Sequence, residues 1–314
     1  MRNIDMTVIA DDAVPLAGTL TLPAGPGPHP AVLLLHGSGP IDREGNSAKL
    51  RLDLGAPMAA ALAAEGIAVL RYDRRGTGET PGDWRAAGFT GNREDAAAAV
   101  RALAAHADIR ADAIGVAGHS EGALHAMALG ARPDVSAVVL LAGFARTGED
   151  AFRWQIRSVT RGLPAPVRRL VRALVARQLD RLEHTTTDVT RVAGLLPMNA
   201  RWMREMLRHD TRADLADVRA PVLAVTGEKD LQVDPADLDE IRRLVPGGAE
   251  VHRIPGLTHL LRRDEGAPSV RSYRRLLREP VDADVLGLVA DWLGRRLGET
   301  PGGTARETER TASS

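Results

Sequence analysis

The sequence predicts an α/β protein built on a mostly parallel sheet with helices on both faces. Two observations carry that prediction. The apolar runs are short, β-branched and bounded by turn residues, and helical patterns lie between them. In chain order, residues 4–22 read as two strands joined by a turn near Asp11 and Asp12, an antiparallel opening. Ala31–Leu35 (AVLLL) is a buried strand, followed by an Ala/Leu helix over about 48–65 and the strand Ile67–Tyr72. A helix over about 92–106 precedes the strand Ala113–Ala117, and another begins at Ser120. Val135–Ala142, Pro221–Thr226 and Ala249–Ile254 complete the strands, and a helix over about 282–297 closes the pattern. Residues 145–215 break the alternation with amphipathic helical segments rich in Arg and Leu, so the core is expected in two pieces, 1–144 and 216–298. The polar tail 299–314 has no periodicity and is expected to be disordered.

Composition narrows the function classes. The formal net charge is zero and aromatics make up only 3% of the chain, which gives no reason to expect nucleic acid as a partner. The absence of cysteine removes disulfides, thiolate metal sites and a cysteine nucleophile. Met1 to Ala10 lacks the apolar core of a signal peptide, and no apolar run approaches the roughly 20 residues that span a bilayer. The expectation is a cytoplasmic protein with no membrane span, acting on a small molecule.

Two glycine-rich segments carry the chemistry. Gly118-His119-Ser120-Glu121-Gly122 follows the strand AIGVA and precedes the helical run ALHAMALGA. A serine at a tight strand-to-helix turn takes a strained backbone, so its neighbours must be small. The turn lifts the hydroxyl above the sheet edge, where the helix N-terminus favours developing negative charge. His36-Gly37-Ser38-Gly39-Pro40 directly follows AVLLL. Acyl transfer needs donors aimed at the oxyanion of the tetrahedral intermediate. Ser38 in this loop and Glu121 after the serine are assigned that role through their main-chain N–H groups. His36 itself reads as a structural turn histidine.

A base must reach the serine, and a carboxylate must orient the base. Of the nine histidines, His29 lies in a proline-rich turn, His106 and His125 on helices and His252 in a strand. His184 and His209 fall in the interrupting segment, and His119 adjoins the serine, where it would point away. His259 alone follows the last strand at the sheet edge of Ser120. Asp230, in the loop after PVLAVTG, reaches that edge too, with Asp234, Asp237 and Glu228 as competitors.

The ordered set HGSGP with Ile41, Asp42 and Arg43, then RYDRRGTGET at 71–80, GHSEG at 118–122, TGEKDLQV at 226–233 and GLTHLL at 256–261 resembles the α/β-hydrolase superfamily. Within it, the chain is similar to bacterial carboxylesterase-like serine hydrolases carrying an HGSGPxDR box, over about residues 15–297. The resemblance implies the α/β-hydrolase fold, a sheet of about eight strands, a Ser-Asp-His triad in chain order and no cofactor. It places Asp230 at the acid position and a helical lid at 145–215. Ala123 and Thr258 depart from the Gly and Asn common at those places; alanine is still small, and Thr258 bears on what surrounds the histidine. No metal ligands are assigned.

The expected activity is cleavage of a carboxylic ester through an acyl-enzyme on Ser120, with His259 as base and Asp230 as its partner. A serine at position 120 argues against the dehalogenase and epoxide-hydrolase branches, which need a carboxylate there. Thioester and aminopeptidase-like amide hydrolysis use the same triad, and a non-catalytic binder on this fold would be expected to lose a triad member. Asp73, Arg74 and Arg75 are read as structural, bracing the oxyanion loop through Asp42 and Arg43. The segment 151–214 carries thirteen Arg against six Asp plus Glu, either a solvated face or a cover that attracts anions. Leu196, Met198, Trp202 and Met206, with Leu195 and Met203 beside them, are candidates for pocket lining and equally for lid core.

Overall fold

The computed structural model describes residues 1–192 and 196–298; Leu195 and the tail 299–314 lie outside the described residues, as does the side chain of Leu196. Strands β1 (Arg2–Ile9) and β2 (Pro15–Leu22) pair antiparallel, from Arg2 against Leu22 to Ile9 against Pro15. There follow β3 (His29–Leu35), helix α1 (Gly55–Ala64), β4 (Ala68–Tyr72), α2 (Phe89–Ala104), β5 (Ile109–His119), α3 (Glu121–Leu129) and β6 (Ala137–Leu141). The chain then leaves the sheet for α4 (Gly148–Val159), α5 (Ala165–Glu183), a hairpin of β7 (Val189–Val192) and β8 (Leu196–Asn199), α6 (Ala200–Arg208) and α7 (Thr211–Asp217). It returns as β9 (Val222–Gly227), α8 (Asp237–Leu244), β10 (Ala249–Ile254), α9 (Tyr273–Leu276) and α10 (Ala283–Gly298).

Eight strands form one sheet in the order β1-β2-β4-β3-β5-β6-β9-β10, parallel from β4 to β10. Every residue of β4, β6 and β9 is buried, which is why their sequences are near-continuous apolar runs rather than alternating ones; the buried Arg71 of β4 is paired with Glu44. One face packs on α2, α3 and α8 through residues such as Phe89, Val100, Leu124 and Ile241. The other packs on α1 and α10 through Met58, Leu62, Val289 and Trp292. This is the expected α/β-hydrolase architecture. Among the described residues no helix is long and apolar enough to cross a membrane.

Three differences from the sequence reading have physical causes. The helix expected over about 48–65 starts only at Gly55. Ahead of it Asn46 and Asp53 exchange hydrogen bonds, Asp53 takes φ 46°, and Asn46 bridges Arg51, so the segment is a closed loop. The insertion is not wholly helical: the β-branched run Thr185–Thr190 leads into the β7–β8 hairpin. Helices α8 and α9, at eight and four residues, are too short for a helical period to register.

Candidate active site

Strand β5 ends at His119, and the chain turns so sharply into α3 that Ser120 takes φ 55°, ψ −117°. The two flanking glycines are dictated by contact. A Cβ on Gly118 would lie 2.0 Å from the carbonyl oxygen of Gly122, and one on Gly122 would lie 2.3 Å from that of Leu35. Such strain at a non-glycine residue persists only when the surroundings over-determine it, here by the Ser120 N–H donating to Leu141 of β6 (2.9 Å).

The loop after β10 brings His259 to this turn. Its Nε2 lies 3.1 Å from Ser120 Oγ, and its Nδ1 donates to Asp230 Oδ2 at 2.8 Å. Asp230 follows β9; its other oxygen accepts from the amides of Gln232 (2.7 Å) and Val233 (2.9 Å), so both carboxylate oxygens are occupied. Asp230 and His259 are 3% and 4% exposed. The rival acids face elsewhere: Asp234 and Asp237 pair with Arg146, and Glu228 accepts from the Gly256 amide. Thr258 closes the histidine loop by donating, from both its amide and its hydroxyl, to the carbonyl of Arg262. Buried Arg262 in turn donates to the carbonyls of Leu52, Leu260 and Glu279.

His119 does more than point away. Its Nε2 donates to the His259 carbonyl (2.9 Å), tying the serine turn to the histidine loop. Burial pushes this imidazole down to about 3, so it stays neutral and can serve that donor role. His36 is likewise structural: its Nε2 donates to the Arg43 carbonyl (2.6 Å), and burial pushes it down to about 4.

Around the oxyanion loop the structure revises the part given to the charged turn after β4. Arg43 pairs with buried Asp73 (2.8 Å), but Asp42 caps its own turn by accepting from the amides of Glu44 and Asn46. Arg75 pairs with Asp95 and Asp12. Arg74 reaches the oxyanion loop: it donates to the carbonyls of Gly37 and Gly39, on either side of Ser38, and pairs with Glu121 at 3.0 Å. One guanidinium thus ties together the two residues whose amides were assigned to the oxyanion. The Glu121 side chain, unused in the sequence reading, is a buried hub whose Oε1 accepts from Asn92, His125 and Trp202. Burial alone would raise its carboxyl, but Arg74 beside it and the hydrogen bonds from His125 and Trp202 hold it well below the usual carboxylate range. Apart from Glu121 and His125, which are one turn apart on α3, these contacts join residues far apart in the chain and nothing in the sequence pattern marks them.

Two cavities open here. A small one of about 90 Å³ is lined by Ser120, His259, Ser38 and Glu121, with Phe144, Phe152, Met206 and Val233 as its apolar wall. A larger one of about 250 Å³ is lined by Trp84, Met198, Met203 and Asn92. Ser38, Glu121 and Trp202 border both, so the Trp202 indole stands between them. Of the four pocket candidates, Met206 faces the small cavity, Met198 the large one and Trp202 both, while Met198 and Met203 also pack on Leu179 and Leu182 of α5. Leu124, Phe152 and Trp84 were not singled out in the sequence. Among the described residues no group of three His, Asp or Glu is placed to hold a metal ion.

Comparison with known proteins agrees with this fold. The chain is 28% identical over 283 residues to the esterase EstD of Thermotoga maritima, an alignment covering 88% of this chain and 65% of EstD, so the chain spans less than two-thirds of that relative's length. Est1E of Butyrivibrio proteoclasticus, solved with ferulic acid bound, superposes with a TM-score of 0.64 at 18% identity, over 94% of this chain and all of that one. A 2,6-dihydroxy-pseudo-oxynicotine hydrolase superposes with a TM-score of 0.59 at 21% identity, over 94% of this chain and 68% of that one. At these identities the two structures speak to the fold alone. The family model of the serine aminopeptidases, S33 (Hydrolase_4), matches residues 52–266, well over half of the chain. The chain therefore belongs to that family of serine α/β hydrolases.

Proposed function

We propose that the protein hydrolyses carboxylic esters with Ser120 as nucleophile, His259 as general base and acid, and Asp230 as its orienting partner. One observation carries the reading: a buried relay from Asp230 through His259 to Ser120 Oγ, with links of 2.8 and 3.1 Å, opens on a cavity that Ser38 and Glu121 also line. Neutral His259 takes the Ser120 proton at Nε2 as Oγ bonds to the ester carbonyl carbon. The oxyanion rests on the amides of Ser38 and Glu121, the first of which has no acceptor among the described residues. Collapse breaks the bond to the leaving oxygen, which departs with the proton from Nε2. Water then adds to the acyl-enzyme with its proton passing to His259, and the returning proton frees Ser120 and the acid.

The family's peptidase members suggest a rival, release of an N-terminal residue from a peptide. Such a substrate presents an ammonium group, which calls for a free carboxylate. Among the described residues, Glu121 is the one acid lining either cavity, and it is already engaged by Arg74, Asn92, His125 and Trp202. That favours an ester. The insertion 145–215 roofs both cavities and is assigned the choice of substrate.

The test is labelling by a fluorophosphonate together with a panel of p-nitrophenyl esters, thioesters and amides. One equivalent of label should appear on Ser120, and Ser120→Ala should lose activity by about 10⁴-fold or more while staying folded. A Ser120→Ala protein with a tenth of wild-type esterase activity would sink the assignment.

A further inference from the structure

The two cavities beside Ser120 differ in a way that the chemistry can read. On the ester reading above, the leaving oxygen must receive its proton from His259 Nε2. The alcohol half of the substrate therefore belongs in the cavity that His259 lines, the smaller one. The larger cavity shares Ser38 and Glu121 with it but is not lined by His259. From a tetrahedral carbon bonded to Oγ, with its oxyanion on those two amides and its leaving oxygen towards His259, the remaining substituent is the acyl chain. It points past Trp202 into the larger cavity.

Size and lining say what that chain is. On a scale where a cavity of about 150 Å³ takes benzene, about 90 Å³ suits a short alkoxy group and about 250 Å³ a fused arene. Two of the chain's four tryptophans, Trp84 and Trp202, wall the larger cavity with the thioethers of Met198 and Met203, and aromatic and sulfur groups favour the edges and faces of flat rings. Its charged groups are already paired: Arg74 with Glu121, and Arg75 with Asp95 and Asp12. An uncharged ligand costs none of those pairs.

The walls are also fixed in advance. Buried Asn199 donates its amide to the carbonyls of Trp84 (2.8 Å) and Ala87 (2.7 Å), and its Oδ1 accepts from the Trp202 N–H (2.8 Å). One side chain thereby pins the backbone of both tryptophans, one on the loop after β4 and one on α6. The Trp202 indole is further held by Glu121 (2.9 Å), and Arg85 stacks on Trp84 at 4.9 Å. A built, aromatic, charge-neutral cavity is what selective binding of a flat apolar group requires.

We propose that the Trp84–Trp202 cavity is the acyl site, that it takes an uncharged aryl-substituted acyl group, and that the cavity beside His259 takes a small alcohol.

Two isomeric esters with their halves exchanged test this directly: propyl 2-naphthylacetate, with the arene in the acyl group, and 2-naphthylmethyl butyrate, with it in the alcohol. Neither carbonyl is conjugated to the ring. The proposal expects kcat/KM for propyl 2-naphthylacetate to exceed that of its isomer by about tenfold or more. Trp84→Ala and the cavity-filling Ala87→Phe should each bring the ratio towards one. Calorimetric titration of Ser120→Ala with propyl 2-naphthylacetate reads the cavity without turnover. Saturable binding is expected, weakened about tenfold when Trp84→Ala is added. A ratio at or below one in a protein that cleaves ethyl butyrate overturns the acyl assignment and leaves the esterase reading standing. If no ester is cleaved, calorimetry decides: binding that Trp84→Ala weakens supports the arene cavity while the esterase reading falls, and absence of binding overturns the cavity.

Discussion

The sheet edge that holds Ser120, Asp230 and His259 and the insertion that faces it are secured in opposite ways. At the edge, every residue of β6 and β9 is buried, and Asp230, His259, His119 and Glu121 are each under 5% exposed. In the insertion, the nineteen residues of α5 bury only Leu179 and Leu182, while Leu170 and Leu174 are 60% and 58% exposed. A densely packed edge holds reacting atoms within tenths of an ångström, whereas a sparsely buried segment tolerates change. The contrast teaches where effects should fall: substitutions at the edge on rate, those in the insertion on substrate choice.

The largest effect should come from the acid. Asp230→Asn keeps the shape but presents an amide to His259 Nδ1, disfavouring the tautomer that leaves Nε2 free to accept. A loss of about 10⁴-fold in kcat is expected. Asp234→Asn, four residues on, only weakens a pair with Arg146 that Asp237 also holds, and should leave kcat within a factor of about three. Equal losses in the two variants would show that the carboxylate had been wrongly chosen and that the edge is not the organising half.

The same contrast explains what could be read from the sequence. The strands of the main sheet, its longer helices and the serine turn were legible because period, burial and small residues at 118 and 122 are local properties. Ser120, His259 and Asp230 could be nominated because each follows a strand that ends at one edge. The Glu121 hub, Arg74 and Asn199 were not legible. Asn199 reaches Trp84 and Ala87 more than a hundred positions away, and Arg74 reaches back to Gly37 and Gly39; no local pattern encodes such pairings. The hairpin β7–β8 and the late start of α1 were missed for a related reason: side-chain hydrogen bonds and β-branched residues overrode a helical reading.

A second prediction concerns acid. Burial pushes His36 down to about 4 and His119 to about 3, and it lowers buried His125 as well, against hydrogen bonding from Glu121 that pulls the other way. All three belong to the edge. In the unfolded chain they protonate near the ordinary value of about 6.5. The unfolded state therefore binds more protons below that pH, and the folded state loses stability as the pH falls from about 6.5 towards 4. His36 and His119 each contribute about 1.4 kcal/mol per pH unit in that window, and His125 adds in the same direction. Urea unfolding at pH 7 and pH 5 measures the sum, and His36→Asn should remove about one proton from the slope. A free energy of unfolding that is the same at both pH values would mean that these rings are not held neutral, and the edge would be less tightly closed than its burial implies.

The smallest effect tests the insertion. Trp202 stands between the two cavities and donates its indole N–H to Glu121, which keeps Arg74, Asn92 and His125 when that bond is lost. Trp202→Ala should therefore leave the oxyanion region in place while joining the about 90 Å³ and about 250 Å³ spaces into one. Each methylene accommodated in an apolar pocket is worth about 1–3 kcal/mol of discrimination. The ratio of kcat/KM for octanoyl to acetyl esters should rise about tenfold or more, with the butyryl ester between them, while the rate on the acetyl ester changes by less than about tenfold. If the acetyl rate instead fell as far as in Asp230→Asn, α6 would belong with the reacting edge and the division drawn between the two regions would be wrong. An unchanged chain-length profile in a folded variant would leave Trp202 as packing between α6 and the core, and substrate choice would have to be sought in the walls around Phe144 and Phe152.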